Sequence, residues 1–333
     1  MKILLTGGTG FLGGRTAAAL VASGHSLRAL VRPSSNRARF PAGTEFAVGD
    51  VTDRASLIAA ALGVDTIVHA AALVKILAPA AEFDRTNVAG FENVLAAAAE
   101  AGVSRVVYVS SFIALGPTER GPGGELDESA EAKSRTWIND YERTKTLSDQ
   151  RARAAIAAGV PLVVVYPGVI YGPGELTEGN IVVRHVLDLI AKKLPALLGK
   201  PERRWNYVFV EDVVAGIMAA VERAPVGQRY VLGGENVTQA EFYRLVGELT
   251  GVKMPSLRMP DLLAKSAGAL QKTWARLTGG VPQLTPDLVE IYRHDWAYSS
   301  AKAERELGYR PRSLREGLTE TLAWLKETGV WRP

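Results

Sequence analysis

The segment Gly7-Gly8-Thr9-Gly10-Phe11-Leu12-Gly13 narrows what this chain can fold into more than any other. It follows the apolar run Ile3-Leu4-Leu5 directly and opens an Ala/Leu-rich stretch, residues 11–23, that closes at Gly24. Glycine permits a tight turn and lets backbone N–H groups approach a ligand at the start of a helix. The spacing satisfies G-x-x-G-x-x-G and, from Gly8, G-x-G-x-x-G. A second apolar run, residues 27–31, follows the helix. This is the strand–turn–helix–strand context in which such a turn cradles a pyrophosphate. Gly7, Thr9, Gly10, Phe11, Leu12 and Gly13 are the expected cradle. The competing reading is an ordinary glycine-rich turn in a sheet that binds no dinucleotide.

The rhythm continues along the chain. Strands are expected at 46–48, 66–68, 106–109 and 162–165, and helices at 53–62, 83–101 and 140–158, with Asp53 as a cap. Continuously apolar strands between helices imply a parallel sheet covered on both faces, doubly wound by right-handed crossovers. The second half is less regular. Helices are expected at 181–194, 212–221 and 314–326, and strands at 207–210 and 230–232. Thr238 to Glu241 reads as a capping box opening a helix that runs to Leu249. The expected fold is α/β, a Rossmann doubly wound parallel sheet with a smaller mixed α/β C-terminal part. The boundaries fall at 1–172 for the dinucleotide domain, with a return to it at about 206–228. Residues 173–205 and 229–333 form the substrate-binding part.

At the end of the second strand, Val31-Arg32-Pro33-Ser34-Ser35-Asn36-Arg37 contains no acid to take a ribose 2′-hydroxyl. Arg32, Ser34 and Arg37 suit a 2′-phosphate, through charge-assisted and hydroxyl hydrogen bonds. NADP(H) is therefore expected rather than NAD(H), with solvated surface arginines as the alternative. Asp50 with Val51, after the third strand, is expected beside the adenine, unless Asp50 is a simple turn acid. Tyr141 and Lys145 stand at i and i+4, on one helix face. A cation near a phenol lowers its pKa from about 10 toward the range useful for proton transfer. Ser110 and Ser111 end the strand 106–109, at the sheet edge where ligands bind in such folds. A serine hydroxyl there can hydrogen-bond a carbonyl oxygen. Strand-end capping for the serines and a surface pair for Tyr141 and Lys145 are the plainer readings.

Composition removes other chemistries. The 333 residues hold no cysteine, which excludes thiol nucleophiles, thiolate metal sites and disulfides. The four histidines, at 25, 69, 185 and 294, are scattered, so no metal site is expected. Basic and acidic residues, 39 and 35, are interspersed, as in Asp140-Tyr141-Glu142-Arg143. No nucleic-acid partner is expected, and the excess of +4 reads as ordinary surface charge. No apolar run approaches the roughly 18 residues of a membrane span, nor does the N-terminus show a signal peptide's core, so a cytoplasmic location is expected. Residues 257–277 are apolar but interrupted by Asp261, Lys265, Lys272 and Arg276. They read as core packing or a dimer contact, with a hydrophobic substrate lid as the alternative.

Further stretches join these motifs: His69-Ala70-Ala71-Ala72, Asn87-Val88-Ala89-Gly90, and Pro167-Gly168-Val169-Ile170-Tyr171-Gly172-Pro173-Gly174. Over nearly its whole length the chain resembles an extended short-chain dehydrogenase/reductase. Within that family it is similar to the bacterial dihydroflavonol-4-reductase-like group, which includes hopanoid-associated sugar epimerase-like and 3β-hydroxysteroid dehydrogenase-like members. Val31 to Ser34, Tyr230 to Asn236 and Ser300 to Tyr309 carry the nearer resemblance.

The resemblance implies roles. Tyr141 would be the general acid–base, and Lys145 would hold the nicotinamide ribose and tune Tyr141. Ser111 would polarise the carbonyl, and Asn87 would support a proton relay. Ser110 and the backbone of Ala70, Ala71 and Ala72 would line the cofactor, while Pro167, Gly168 and Val169 would border the nicotinamide. The reaction implied is hydride transfer between NADP(H) and a small-molecule carbonyl or secondary alcohol. A nucleotide-sugar epimerase or dehydratase using the same triad is the alternative. Against it stand Leu115-Gly116 where such enzymes carry Tyr-Gly, and Trp205 where they place an arginine, although Arg203 and Arg204 are adjacent. A non-catalytic NADP sensor would be expected to lose Tyr141 or Lys145. A homodimer through 83–101 and 140–158 is a family-level expectation.

Overall fold

The computed structural model describes residues 1–332 except 120–123, 133–135, 194, 195, 254, 256, 281 and 283. The first half alternates strand and helix: β1 (Lys2–Thr6), α1 (Phe11–Ala22), β2 (Ser26–Val31), β3 (Glu45–Val48), α2 (Arg54–Ala61) and β4 (Thr66–His69). α3 (Ala80–Phe83) runs without a break through a π-helical segment, Asp84–Ala89, into α4 (Gly90–Glu100). Then come β5 (Arg105–Val109), α5 (Asp140–Ala157), β6 (Leu162–Pro167), β7 (Val169–Tyr171) and α6 (Ile181–Ile190). The second half holds β8 (Arg204–Phe209), α7 (Val210–Glu222), β9 (Arg229–Leu232), β10 (Glu235–Thr238) and α8 (Gln239–Thr250). It ends with α9 (Asp261–Thr278), α10 (Pro286–Ile291), α11 (Ala301–Leu307) and α12 (Leu314–Glu327).

Seven strands form the main sheet in the order β3-β2-β1-β4-β5-β6-β9, all parallel. β4 and β6 are buried at every residue, as strands covered on both faces must be. Parallel pairing aligns the carboxyl ends, so Thr6 sits opposite His69, His69 opposite Tyr108, and Val109 opposite Val165. The expected caps hold. The Asp53 carboxylate accepts from the Ala55 and Ser56 amides, and Thr238 with Glu241 closes a full capping box.

Three expectations change. β9 belongs to the main sheet, so the chain returns to the dinucleotide half as far as 232, not 228. β8 pairs with β7 on one side and β10 on the other in a separate mixed sheet, so that unit begins at 169, before 172, and the return starts after β8 rather than at 206. Strand β7 is only three residues long, too short to show a periodicity. The helix expected to reach 194 ends at Ile190; residue 194 and the middle of the loop 116–127 lie outside the described residues. Within 257–277, core packing holds only for small residues: α9 buries Ala264, Gly268 and Ala275 and turns its leucines outward. No helix among the described residues is long and apolar enough to cross a membrane.

Candidate active site

The cradle is built on two close approaches. Gly7 has φ +78°, and a Cβ there would lie 2.5 Å from the Ala71 nitrogen. A Cβ on Gly13 would fall 2.1 Å from the Gly7 carbonyl oxygen. Both positions therefore exclude any other residue. Gly10 caps α1 without a side-chain acceptor, and no acid stands in the first turn. The leading amides, from Phe11 and Leu12, thus keep their hydrogen-bonding capacity for an external anion, and the helix dipole adds to it. Thr9 borders the turn, half-buried. Thr6 ties the turn to the end of β4: its carbonyl accepts from the Ala70 amide at 3.2 Å, and its hydroxyl contacts His69 Nδ1 at 2.7 Å. The cradle fits the pyrophosphate of a dinucleotide.

The end of β2 is open to solvent. The Arg32 and Arg37 side chains are exposed, as is Ser34, and the Arg32 guanidinium has no partner among the described residues. Its neighbours are occupied, Arg28 by Glu45 and Arg39 by Glu175. Arg37 instead lies over the Phe46 ring at 5.5 Å. Asp50 accepts the Thr52 amide through one oxygen, and Val51 is buried with its carbonyl held by Asn93.

The reactive groups meet at the ends of β5 and β6. Asn139 caps α5 by accepting the Glu142 amide at 2.8 Å, and the helix then places Tyr141 and Lys145 on one face. Tyr141, half-buried, is within hydrogen-bonding reach of the Ser111 hydroxyl. The Ser111 oxygen also accepts the Ile113 amide at 3.4 Å. Ser110 is buried beside the Tyr108 phenol. Lys145 is 2% exposed, donates to the Val109 carbonyl at 3.3 Å and lies 5.2 Å from the centre of the Tyr108 ring. Pro167 and Gly168 continue β6, the Gly168 amide donating to the Leu232 carbonyl, and Val169 opens β7.

The electrostatics differ from the sequence expectation. Burial raises the Tyr141 phenol above its ordinary pKa of 10, and the Ser111 hydrogen bond only partly offsets this. Burial brings Lys145 down to about 7. The ammonium spends itself on Val109 and is partly neutral at pH 7, so it does not depress the phenol as a free cation would. His69, which the sequence reading left as part of a motif, is buried beside the stacked Phe91 and Tyr108 rings and falls to about 3. Desolvation dominates that shift, and Lys145 adds to it.

Asn87 lies in the π-helical segment, 3% exposed. Its oxygen accepts the Leu73 amide at 2.7 Å, and its nitrogen donates to the Leu73 carbonyl and the Thr144 hydroxyl. Its carbonyl accepts from Ser148. The side chain therefore joins the Ala70–Ala72 loop to α5. Thr144, not singled out in the sequence, is the partner that completes this link.

A family model described as "NAD dependent epimerase/dehydratase family" matches residues 3–233. The chain belongs to that family. It is 30% identical over 336 residues to a putative dihydroflavonol 4-reductase of Synechocystis, covering 98% of this chain and 94% of that one. It is 34% identical to 4-hydroxy-2-methyl-3-oxo-4-farnesyl-3,4-dihydroquinoline-1-oxide ketoreductase of Stigmatella aurantiaca, covering 94% and 92%. Among solved structures, gox2253 superposes with a TM-score of 0.83 at 33% identity, covering 99% of each chain. The extended dehydrogenase/reductase resemblance and the Rossmann architecture stand, and the chain is an enzyme of the nicotinamide-dependent oxidoreductase type.

In this member of the epimerase/dehydratase family, β7 leads from the triad to an aromatic cavity of about 30 Å³. Val169, His185, Trp205, Tyr207, Phe242 and Tyr292 line it. Trp205 stacks on Tyr292 with centroids 4.5 Å apart, and Tyr207 stacks on Phe242 at the same distance. The cavity's residues also bring polar groups: His185, which burial lowers to about 4 and which meets the Tyr292 hydroxyl at 3.1 Å, the phenols of Tyr207 and Tyr243, and the unpartnered Trp205 indole N–H. Neither adjacent arginine faces an open site alone. Arg203 pairs with Asp295 at 2.6 Å, and Arg204 pairs with Glu125 and donates to the Gly124 carbonyl.

Proposed function

We propose that the protein is an NADP(H)-dependent carbonyl reductase acting on an apolar ketone or aldehyde, or on the matching secondary alcohol in reverse. The observation that carries the reading is Tyr141 beside Ser111, at the carboxyl edge of the parallel sheet whose first strand runs into the glycine cradle. In this reading the cradle from Gly7 to Gly13 holds the pyrophosphate, and Arg32 with Ser34 and Arg37 holds the 2′-phosphate. Asp50 and Val51 lie by the adenine, Ala70 to Ala72 with Ser110 along the dinucleotide, and Pro167 to Val169 beside the nicotinamide. The bound nicotinamide supplies the hydride. Ser111 donates a hydrogen bond to the substrate oxygen, and Tyr141 gives it the proton. A phenol held above its ordinary pKa stays protonated at neutral pH, the state a reductase needs at the start of a turnover. Lys145 orients the nicotinamide ribose, and Asn87 positions the lining loop, which is the support it lends to proton transfer.

The paired arginines argue against a nucleotide sugar. A diphosphate needs unpaired cations, and Arg203 and Arg204 are already held by carboxylates, with buried Trp205 between their strand and the cavity. The ketoreductase name of the Stigmatella relative agrees in substrate type. NADPH consumption against a panel of apolar ketones, aldehydes and UDP-sugars tests the reading. Stoichiometric NADPH loss with a ketone is expected; sugar conversion without net cofactor change would replace it. Tyr141→Phe should lower turnover at least ~100-fold while NADPH binding persists, and activity within tenfold of wild type refutes the role given to Tyr141. Arg32→Ala should weaken NADPH binding at least ~tenfold and NADH binding hardly at all; equal effects refute the 2′-phosphate assignment.

A further inference from the structure

Helix α9 turns its large side chains to solvent. Leu263, Leu270, Trp274 and Leu277, spaced by seven, four and three residues, form one stripe and are 61, 73, 69 and 78% exposed. Leu262 and, in the preceding loop, Leu257 extend it. Toward the protein the helix carries small residues, Ala264 and Ala267 against Leu284 and Val289, Gly268 against the Thr285–Pro286 backbone, and buried Ala275, with Lys265 and Lys272 paired with Glu290 and Asp287. A helix held by burial alone would turn its leucines inward and its lysines outward.

Charge follows the same segment. Residues 251–280 hold five basic residues, Lys253, Arg258, Lys265, Lys272 and Arg276, and one acid, Asp261. The chain has 39 basic and 35 acidic residues, so the other 303 residues carry 34 of each. The entire net charge of +4 therefore lies here, and it is not ordinary scattered surface charge. Arg258 pairs with Glu202, while Lys253 and Arg276 have no carboxylate partner among the described residues.

We propose that α9 with Lys253, Leu257 and Arg258 docks on an anionic lipid bilayer, lying in the interface without spanning it. The leucines and Trp274 enter the acyl boundary, and Lys253 and Arg276 meet the headgroups. A second copy of the chain is the poorer occupant, since pairing the stripe with itself would bring together the Lys253 and Arg276 cations of both copies, which no carboxylate among the described residues offsets. α9 rests on α10, whose Leu288 lines the aromatic cavity, so docking holds that cavity one helix away from the lipid. The docking does not depend on the reaction proposed above.

Sedimentation of the full-length protein with vesicles tests it, using phosphatidylcholine alone or phosphatidylcholine mixed with phosphatidylglycerol. The wild type should bind the mixed vesicles and lose binding as salt rises. The pair Leu270→Gln with Trp274→Gln should weaken binding at least ~tenfold. The pair Lys253→Glu with Arg276→Glu should do so at least ~tenfold on the mixed vesicles only. All four side chains are exposed, so melting temperatures should match the wild type. If either pair perturbs folding, Leu263→Gln with Leu277→Gln reads the same stripe. Absence of wild-type binding to the mixed vesicles overturns the proposal, as does equal binding by wild type and variants. So does a wild-type dimer, seen by light scattering, that the Leu270/Trp274 pair converts to monomer while no vesicle is bound.

Discussion

At the residue scale, the site trades stability for chemistry, and Lys145 shows the sign. Its folded pKa of about 7 lies below the free value of 10.5, so protonation opposes folding. The cost is absent above pH 10.5, grows as pH falls, and is complete below about 7. Lys145→Met keeps the length of the side chain and removes the buried cation. It should raise the melting temperature of the cofactor-free protein at pH 6 by about 2–6 °C, with a smaller gain at pH 9.5, while turnover falls at least ~100-fold. Calorimetry at the two pH values decides; no gain at pH 6 refutes the account. The sequence showed Tyr141 and Lys145 as a pair because four residues make one helical turn. It did not show the direction of the Tyr141 shift, because desolvation of the phenol depends on the packing around it, which only tertiary structure sets.

At the scale of elements, the strand–helix alternation was legible because buried parallel strands are continuously apolar and each helix carries its own stop signal. What escaped is local backbone geometry. The expected helix 83–101 contains the π-helical segment Asp84–Ala89, and no periodicity reveals one extra residue in a turn. That segment presents Asn87 to both the post-β4 loop and α5. Arg143 locks it from α5 through a two-bond pairing with Asp84. Asn87→Ala would leave the Leu73 amide and the Thr144 hydroxyl each short of a partner. The loop carrying Ala70 to Ala72 should then loosen. The expected outcome is a rise in NADPH Kd of about tenfold with a loss of about 1–3 kcal/mol in unfolding free energy. Fluorescence titration and urea denaturation measure both, and an unchanged Kd would show that the loop is held by Thr6 alone.

At the scale of the molecule, a doubly wound parallel sheet followed from sequence rhythm and the handedness of crossovers, but two features did not. The seventh parallel strand, β9, is four residues long and reaches the main sheet only after the chain has passed through the small one. The charge excess was present in the sequence and visible by window counting, yet interspersed signs elsewhere masked it. Acid acts in the same sense on the buried histidines of both halves. His185 packs in the aromatic cavity of the small sheet, and His69 under the cofactor edge of the large one. Both are held below their ordinary 6.5, at about 4 and about 3, because burial disfavours the imidazolium. The unfolded chain therefore binds more protons, and stability falls as pH drops from 6.5 toward 4. Glu119 holds His294 above its ordinary value, which acts in the opposite sense, so the total slope alone is not diagnostic. The difference between two chains is. His185→Phe removes one depressed imidazole and leaves His69, His294 and every carboxylate in place. Between pH 7 and pH 5, wild type should lose about 1–2 kcal/mol more unfolding free energy than the variant. Urea denaturation at the two pH values measures this, and parallel losses would mean that His185 titrates as if exposed and that the aromatic cavity opens to water.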